Sequence, residues 1–340
     1  MKKTPIACAV SGGVLIVAAA LLAFQVTPNW IARLPGGTTK ERAYQGAFQS
    51  LLDPRALADG DVAGAFKTGV PVSIAQEVKV EKTSGNTALV SDTRTTSAAG
   101  APIEHTSWQY AVDRRSLEAV GARPSGWTVV DATGLTIGWP FGAEKKTYRG
   151  WTPETRQAVP VTYLRQESKH GLTTYVYAAT VPATKIVDSQ ILATLPKALP
   201  KSLLTTLAQG GAVPAAEAQA LGQVLPLLAD PVPLAYTFED ASQYWIEPTT
   251  GVVVDVQRVQ KRVAELSLPG GTAVPLLPVA VVTYHGTAAS VASAAKDASD
   301  GRGTIRLFRM ILPIVLTVLG AVLLILAAVL RRRGVRGPAR

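Results

Sequence analysis

The sequence predicts two terminal transmembrane helices flanking a mainly antiparallel β domain, barrel- or sandwich-like and extracytoplasmic, with an apolar helical insertion. Three observations carry this expectation. Two uncharged runs, residues 5–26 and 310–330, lie near the ends of the 340-residue chain. Between them, apolar and polar residues alternate in segments separated by short turn sequences. One stretch, 191–229, departs from that alternation and carries only Lys197, Lys201 and Glu217 as charges in 39 residues.

The two runs are 22 and 21 residues long. A helix rises about 1.5 Å per residue, so about 20 apolar residues cross the roughly 30 Å hydrocarbon core. The second run stops at "RRRGVRGPAR", which holds five arginines in ten residues. By the positive-inside rule that tail is cytoplasmic. Pro313 would fall in the first turn of the helix, where a missing N–H costs little. The first run follows "MKK" and reads as a retained anchor. A cleaved signal peptide is the alternative, against which stand the length of the run and the lack of a well-placed small-x-small site. The expected organisation is a cytoplasmic tail (1–4), a first span (5–26), an extracytoplasmic domain (27–309), a second span (310–330) and a basic cytoplasmic tail (331–340). The protein would cross the plasma membrane twice with both termini inside. Small residues in both runs, among them Ala9, Gly12, Gly13, Gly320 and Ala321, would let helices approach closely.

The net charge of +10 belongs mostly to the ends. Lys2, Lys3 and the five terminal arginines account for +7, leaving +3 for everything between. The basic balance therefore points to a lipid bilayer as partner and not to nucleic acid. Cys8 is the only cysteine. An outer domain without cysteine has no disulfides and must be held by its own core.

Within 27–309, alternation flanks Ser84-Gly85-Asn86, Lys169-His170-Gly171 and the turn Pro248-Thr249-Thr250-Gly251, in which proline presets φ and glycine accepts a positive one. Successive hairpins argue for a sandwich or barrel and against βαβ units. In the insertion, Leu195, Leu199, Leu203 and Leu207 recur every fourth residue as one helical stripe, interrupted by Pro196, Pro200 and Pro214. Its apolar faces either cap the β core or contact a lipid. Residues 288–303 read as helix ending in a Gly-rich hinge.

No catalytic constellation is present: HExxH, CxxC, GxSxG and Walker A patterns are all absent. His105, His170 and His285 stand apart in the sequence. Asp113-Arg114-Arg115 and Glu239-Asp240 read as turn-capping charges. Nothing has the spacing of a calcium loop. The expectation is a protein that is not an enzyme and holds neither cofactor nor metal.

The densest aromatic stretch is 138–151, "GWPFGAEKKTYRGW". Trp139 and Phe141 sit in a tight turn and must be kept dry. Either the loop anchors itself on the β core, or Trp139, Phe141, Tyr148 and Trp151 form part of an apolar ligand wall together with Leu195, Leu199 and Leu203 of the insertion.

"YAVDRR" (110–115), "GLTIGWPFGAEKKTYRGW" (134–151), "HGLTTYVY" (170–177) and "YWIEPTTGVVVD" (244–255) resemble an actinobacterial membrane-protein family of unknown function that carries the label "porin PorA family". The likeness covers nearly the whole chain, both terminal runs included. It implies a membrane location and, through its label, a channel. In topology alone the layout is similar to the class B scavenger receptors, in which terminal helices flank a β-rich domain with a lipid-conducting tunnel. Three readings follow. The first is a cell-envelope protein that binds or transfers a lipid or other hydrophobic molecule, and the second is a structural envelope protein that binds partner proteins. The third is an oligomeric channel, ranked last because a porin crosses with lipid-facing strands and here two helices supply the crossing.

Overall fold

The computed structural model describes residues 3–61, 64–210, 213, 215–267 and 273–335. Lys2, the break expected at Pro214 and the tail beyond 335 lie outside the described residues. In chain order the elements are α1 (Lys3–Leu21), β1 (Thr39–Leu52), α2 (Pro54–Ala58), β2 (Phe66–Lys67), β3 (Val70–Ser84), β4 (Thr87–Ala98) and β5 (Ala101–Asp113). There follow β6 (Tyr148–Thr152), β7 (Gln157–Lys169), β8 (Leu172–Lys185), α3 (Ser189–Leu192), β9 (Ala198–Leu199), α4 (Lys201–Gln209) and α5 (Ala215–Val224). The chain ends with β10 (Val232–Ile246), β11 (Val253–Ser267), β12 (Ala273–Gly286), α6 (Ala288–Arg306) and α7 (Leu312–Val335). Two compact units result: Met1–Arg33 with Lys296–Arg340, and Leu34–Ala295.

In the first unit, α1 and α7 pack against each other. The contact depends on two glycines, since a Cβ on Gly12 would stand 2.7 Å from the Gly320 carbonyl oxygen and one on Gly320 the same distance from that of Gly12. The small residues thus pair the two spans with each other. Both helices widen at one level: α1 runs on into a π-helix over Leu22–Ile31, and a π turn over Leu307–Ile311 joins α6 to α7. The Gly-rich hinge expected near 301–303 is instead helix, because α6 continues through Gly301 and Gly303 to Arg306. Pro313 accordingly sits inside a continuous helix and not in a first turn. The Leu312 N–H reaches back to the Leu307 carbonyl, and this wide turn comes where the proline ring would press on a regular one. Thr4–Ile31 and Ala288–Arg332 are long and apolar enough to cross a membrane.

The second unit is built on one antiparallel sheet with the order β5-β4-β3-β1-β12-β11-β10-β8-β7-β6. The hairpins expected at 84–86, 169–171 and 248–251 are all present. His170 and Gly171 both have positive φ (49° and 74°), the pattern of a two-residue turn matched to strand twist. The sheet curls into a half-barrel, and segment 114–147 joins its two end strands. On one side Asp113 N–H bonds to the Glu118 carbonyl and Val120 N–H to that of Ala111. On the other, Leu135 exchanges bonds with Arg149 and Trp151, each 2.8 Å. The free edge of β5 is further covered by Gln190, whose side-chain amide accepts from Ser107 N–H and donates to its carbonyl at 2.9 Å each, as a neighbouring strand would.

The helical insertion closes the core. Leu204, Leu207 and Leu221 are fully or almost fully buried and pack with Tyr110, Phe238 and Leu266 of the sheet. The stripe 195/199/203/207 is not one helix face: Leu195 lies in a turn, Leu199 pairs in β9 with Val232, and α4 begins only after Pro200. The two prolines keep 196–200 extended, so the buried face of α4 is Leu204 and Leu207. Outward strand positions are polar, for example Glu77, Lys79 and Glu81 on β3 and His105, Ser107 and Gln109 on β5. Among the described residues of this unit, the exposed large aliphatic side chains are Ile103, Leu164, Val187, Leu227 and Val259, each on a different element or turn.

Gly320→Val tests the helix crossing. With no room at 2.7 Å the helices must part, and overpacking of this kind costs about 1–3 kcal/mol. Unfolding in mild detergent should show that loss, and a variant as stable as the parent would mean that the helices do not meet there.

Candidate functional site

Inside the curled sheet lies a cavity of about 300 Å³. Its apolar lining includes Phe48, Leu51, Ile74, Val279, Val282 and Leu195. Its polar lining includes Arg94, Glu104, Glu154, Gln260, Arg262 and Tyr284. The polar groups arrive by strand alternation: Glu104, Thr106, Trp108 and Tyr110 share one face of β5, as Arg258, Gln260, Arg262 and Ala264 share one face of β11 in regular pairing up to Arg262.

The interior arginines are each matched to a carboxylate. Arg94 Nη2 stands 2.7 Å from Asp92, whose other oxygen accepts from Gln76 at 2.7 Å, and Gln76 in turn accepts from Tyr44 at 2.7 Å. Arg262 holds Glu104 with both terminal guanidinium nitrogens, Nη1 and Nη2. Arg258 donates to Ser242 at 2.8 Å and to Tyr244 at 3.1 Å, and stands 3.4 Å from Asp240. Burial opposes the Arg258 cation, but Asp240 together with Tyr244, Tyr284 and Glu154 outweighs it and keeps the group charged. Removing one member of such a pair leaves a buried uncompensated charge, a loss of about 3–5 kcal/mol.

Glu154 is the carboxyl beyond these three pairs. It comes from the β6–β7 turn, in which Thr152, Pro153, Glu154 and Thr155 are all buried. A hairpin tip is ordinarily solvated; here its backbone is tied inward, the Glu154 carbonyl accepting from Val187 N–H at 3.0 Å. Burial pushes the Glu154 carboxyl above its usual range, against the pull of Arg94, Arg258 and Arg262.

Of the residues singled out by sequence, Leu195 lies on the cavity wall, and the structure does not bring the rest to it. Trp139 packs among Tyr244 and Tyr177, ring centroids 4.9 and 5.6 Å away, and Tyr148 joins the same cluster at 5.8 Å from Tyr177. Trp151 packs on the main core, as do Leu199 and Leu203. Phe141 is half-buried, its N–H bonded to the Arg115 carbonyl at 3.2 Å. The aromatic loop is seated on the 248–251 turn: Gly142 N–H bonds to Thr249 and Ala143 N–H to Pro248, the latter at 2.7 Å. Glu247 fixes that turn by accepting from the Thr250 N–H and hydroxyl at 2.9 and 2.7 Å.

Asp113 caps its turn, accepting from the N–H groups of Arg115 and Ser116 at 2.8 Å each. Glu239-Asp240 does not: both lie within β10, with Glu239 half-buried and paired to Lys261 and Asp240 buried beside Arg258. Sequence reasoning missed the interior network. Its signal was there, in charges that fall in phase with buried apolar residues: Val90, Asp92, Arg94 on β4 and Val256, Arg258, Gln260, Arg262 on β11.

Two variants probe this region. Gly251 has φ 71°, and a Cβ there would stand 2.1 Å from the Trp139 carbonyl oxygen. Gly251→Ala should therefore lose about 2 kcal/mol or more in denaturant unfolding; a near-neutral result would separate the turn from the loop. Glu154 retains its proton in the folded domain to a higher pH than in the unfolded chain. The stability this contributes is complete below the ordinary glutamate value, about 4.3, and is lost as pH rises through the raised folded value. The stability of the parent relative to Glu154→Gln should fall across that window, and a pH-independent difference would refute the assignment.

The family described as "Porin PorA" matches residues 4–329. No curated protein matches the chain. Among solved structures, a MaoC-like dehydratase is 11% identical and covers 80% of this chain and 82% of its own at a TM-score of 0.13. That likeness carries no argument. The family match spans both apolar helices and the whole β domain, and the chain belongs to the Porin PorA family.

Proposed function

We propose that this membrane protein crosses the plasma membrane of a cell envelope twice with both termini cytoplasmic. Its β domain binds or transfers a lipid or other hydrophobic molecule and does no catalysis. The observation that supports this reading is the cavity in the β domain, lined by both apolar and polar side chains. Sites for small amphipathic molecules have about this size, with few polar groups fixing orientation. Leu195 is the sequence-derived candidate that fits the role directly. The aromatic loop serves the domain's stability and stands apart from the ligand.

The domain Leu34–Ala295 has its own core and can be exported without the helices, purified without detergent and extracted for mass spectrometry. The expected result is about one co-purified apolar molecule per domain, retained by the parent and lost in Ala280→Trp, which fills the cavity from β12. A folded, lipid-free domain that takes up no fluorescent fatty acid would end this reading.

Channel activity is the second reading, favoured by the family description. It would require an oligomer, since the outer faces of the strands are polar where a transmembrane barrel is apolar. Ion conductance by the full chain in planar bilayers, abolished when the helix pair is disrupted, would support it.

A further inference from the structure

The helix pair carries basic residues at the end from which the chain enters the β domain, opposite the arginine tail. Arg309 immediately precedes the 21-residue apolar run, which is about 31 Å long as helix and so matches the hydrocarbon core. Arg309 therefore stands at the hydrocarbon edge. Arg306 lies about 4.5 Å further along the axis and Arg302 about 10 Å, against a headgroup layer of roughly 5–7 Å. All three side chains are exposed, and among the described residues no carboxylate is paired with any of them. The neighbouring acid Asp300 is engaged by Lys296 at 2.6 Å.

The other helix brings an aromatic residue to the same end of the pair. Its π segment Leu22–Ile31 contacts the π turn Leu307–Ile311. Trp30 in that segment is 67% exposed, and the Arg33 guanidinium lies 4.6 Å above its ring. An exposed tryptophan stacked by arginine suits the membrane interface. Arginine's planar fork suits phosphate oxygens. Both helices give up regular α geometry where these groups are presented, and π turns often mark functional positions.

We propose that Arg306 and Arg309, with the Trp30–Arg33 stack, form a binding site for the phosphate of an anionic phospholipid in the leaflet at the domain end of the helix pair. This site is independent of the cavity. A bound headgroup satisfies the exposed cations and fixes the depth and rotation of the helix pair at that surface.

Trp30 supplies the readout, since the other five of the six tryptophans lie in the β domain. The full chain is reconstituted in phosphatidylcholine nanodiscs with increasing brominated phosphatidylglycerol, and quenching is measured against a Trp30→Phe background. Phosphatidylglycerol should quench at far lower mole fraction than brominated phosphatidylcholine. At about 1 kcal/mol per basic residue near the surface, each arginine contributes about 5-fold and the pair about 25-fold. Arg306→Gln/Arg309→Gln should therefore raise the midpoint about 25-fold. The same change at Arg331 and Arg332 should leave it unaltered, which controls for charge at the other leaflet. Equal quenching by the two lipids, or a midpoint unmoved in the Arg306/Arg309 variant with unchanged circular dichroism, would overturn the proposal.

Discussion

A long antiparallel sheet must satisfy the backbone groups of its two end strands, and in this protein everything in the β domain depends on how that is done. Left open, β5 and β6 would expose rows of unpaired N–H and C=O groups, a template for association. Segment 114–147 connects them instead, through bonds from Asp113 and Val120 on one side and from Leu135 on the other. The turn at 248–251 supports the later part of that segment from below, and so Trp139, Gly142 and Ala143 all meet it. The aromatic loop and the 248–251 turn are thus parts of the closure.

Closure produces an inside, and the inside is not filled as an ordinary core. Around the helical insertion it is: Leu204, Leu207 and Ile191 are completely buried. Toward β1, β3 and β12 a cavity remains, and its lining includes Arg94 and Arg262 with the carboxylates Glu104 and Glu154. Well-packed apolar residues of the same volume would often be at least as stabilising as buried ion pairs. Stability alone therefore does not account for Arg94, Arg258 and Arg262. Polar groups among apolar ones do follow if the space must orient an amphipathic molecule. The hydrogen bond from Arg258 to Tyr244 ties the buried ion-pair network to the aromatic cluster.

Much of the architecture could be read from the chain because each feature rests on local physics. Uncharged runs of 21 and 22 residues match the thickness of a bilayer and exceed what a soluble core requires of one helix, and hairpins betray themselves through Gly171 and Gly251. The insertion was visible as a charge-poor block, yet its fourfold leucine spacing misled, since Pro196 and Pro200 outrank periodicity. The π turns left no sequence signal beyond Pro28 and Pro313, whose effect on a helix depends on its neighbours. The cavity could not be read at all: whether facing residues fill a space depends on the distance between strands far apart in sequence. The ion pairs sit between these cases. The alternation of Val90, Asp92 and Arg94 marks charges that face inward, while Glu104, 158 residues from Arg262, could be identified as a partner only from the fold.

A barrel that crosses a bilayer must present apolar side chains outward, leaving its inward positions for water and polar groups. The outer strand faces of this domain are polar, and the long exposed apolar surfaces of the chain lie on the two terminal helices. Assigning the crossing to helices removes the constraint on the outer strand faces, so Glu77, Lys79 and Glu81 can be solvated. It also removes the need for a continuous water path through the sheet. The insertion can then seal the interior with Leu204 and Leu207, which a conducting barrel could not allow along its axis. The same division of labour puts demands on the helices, which must hold each other without the strong apolar drive available in water. Small-residue contact between Gly12 and Gly320 meets that demand in the way expected within lipid, by close backbone approach.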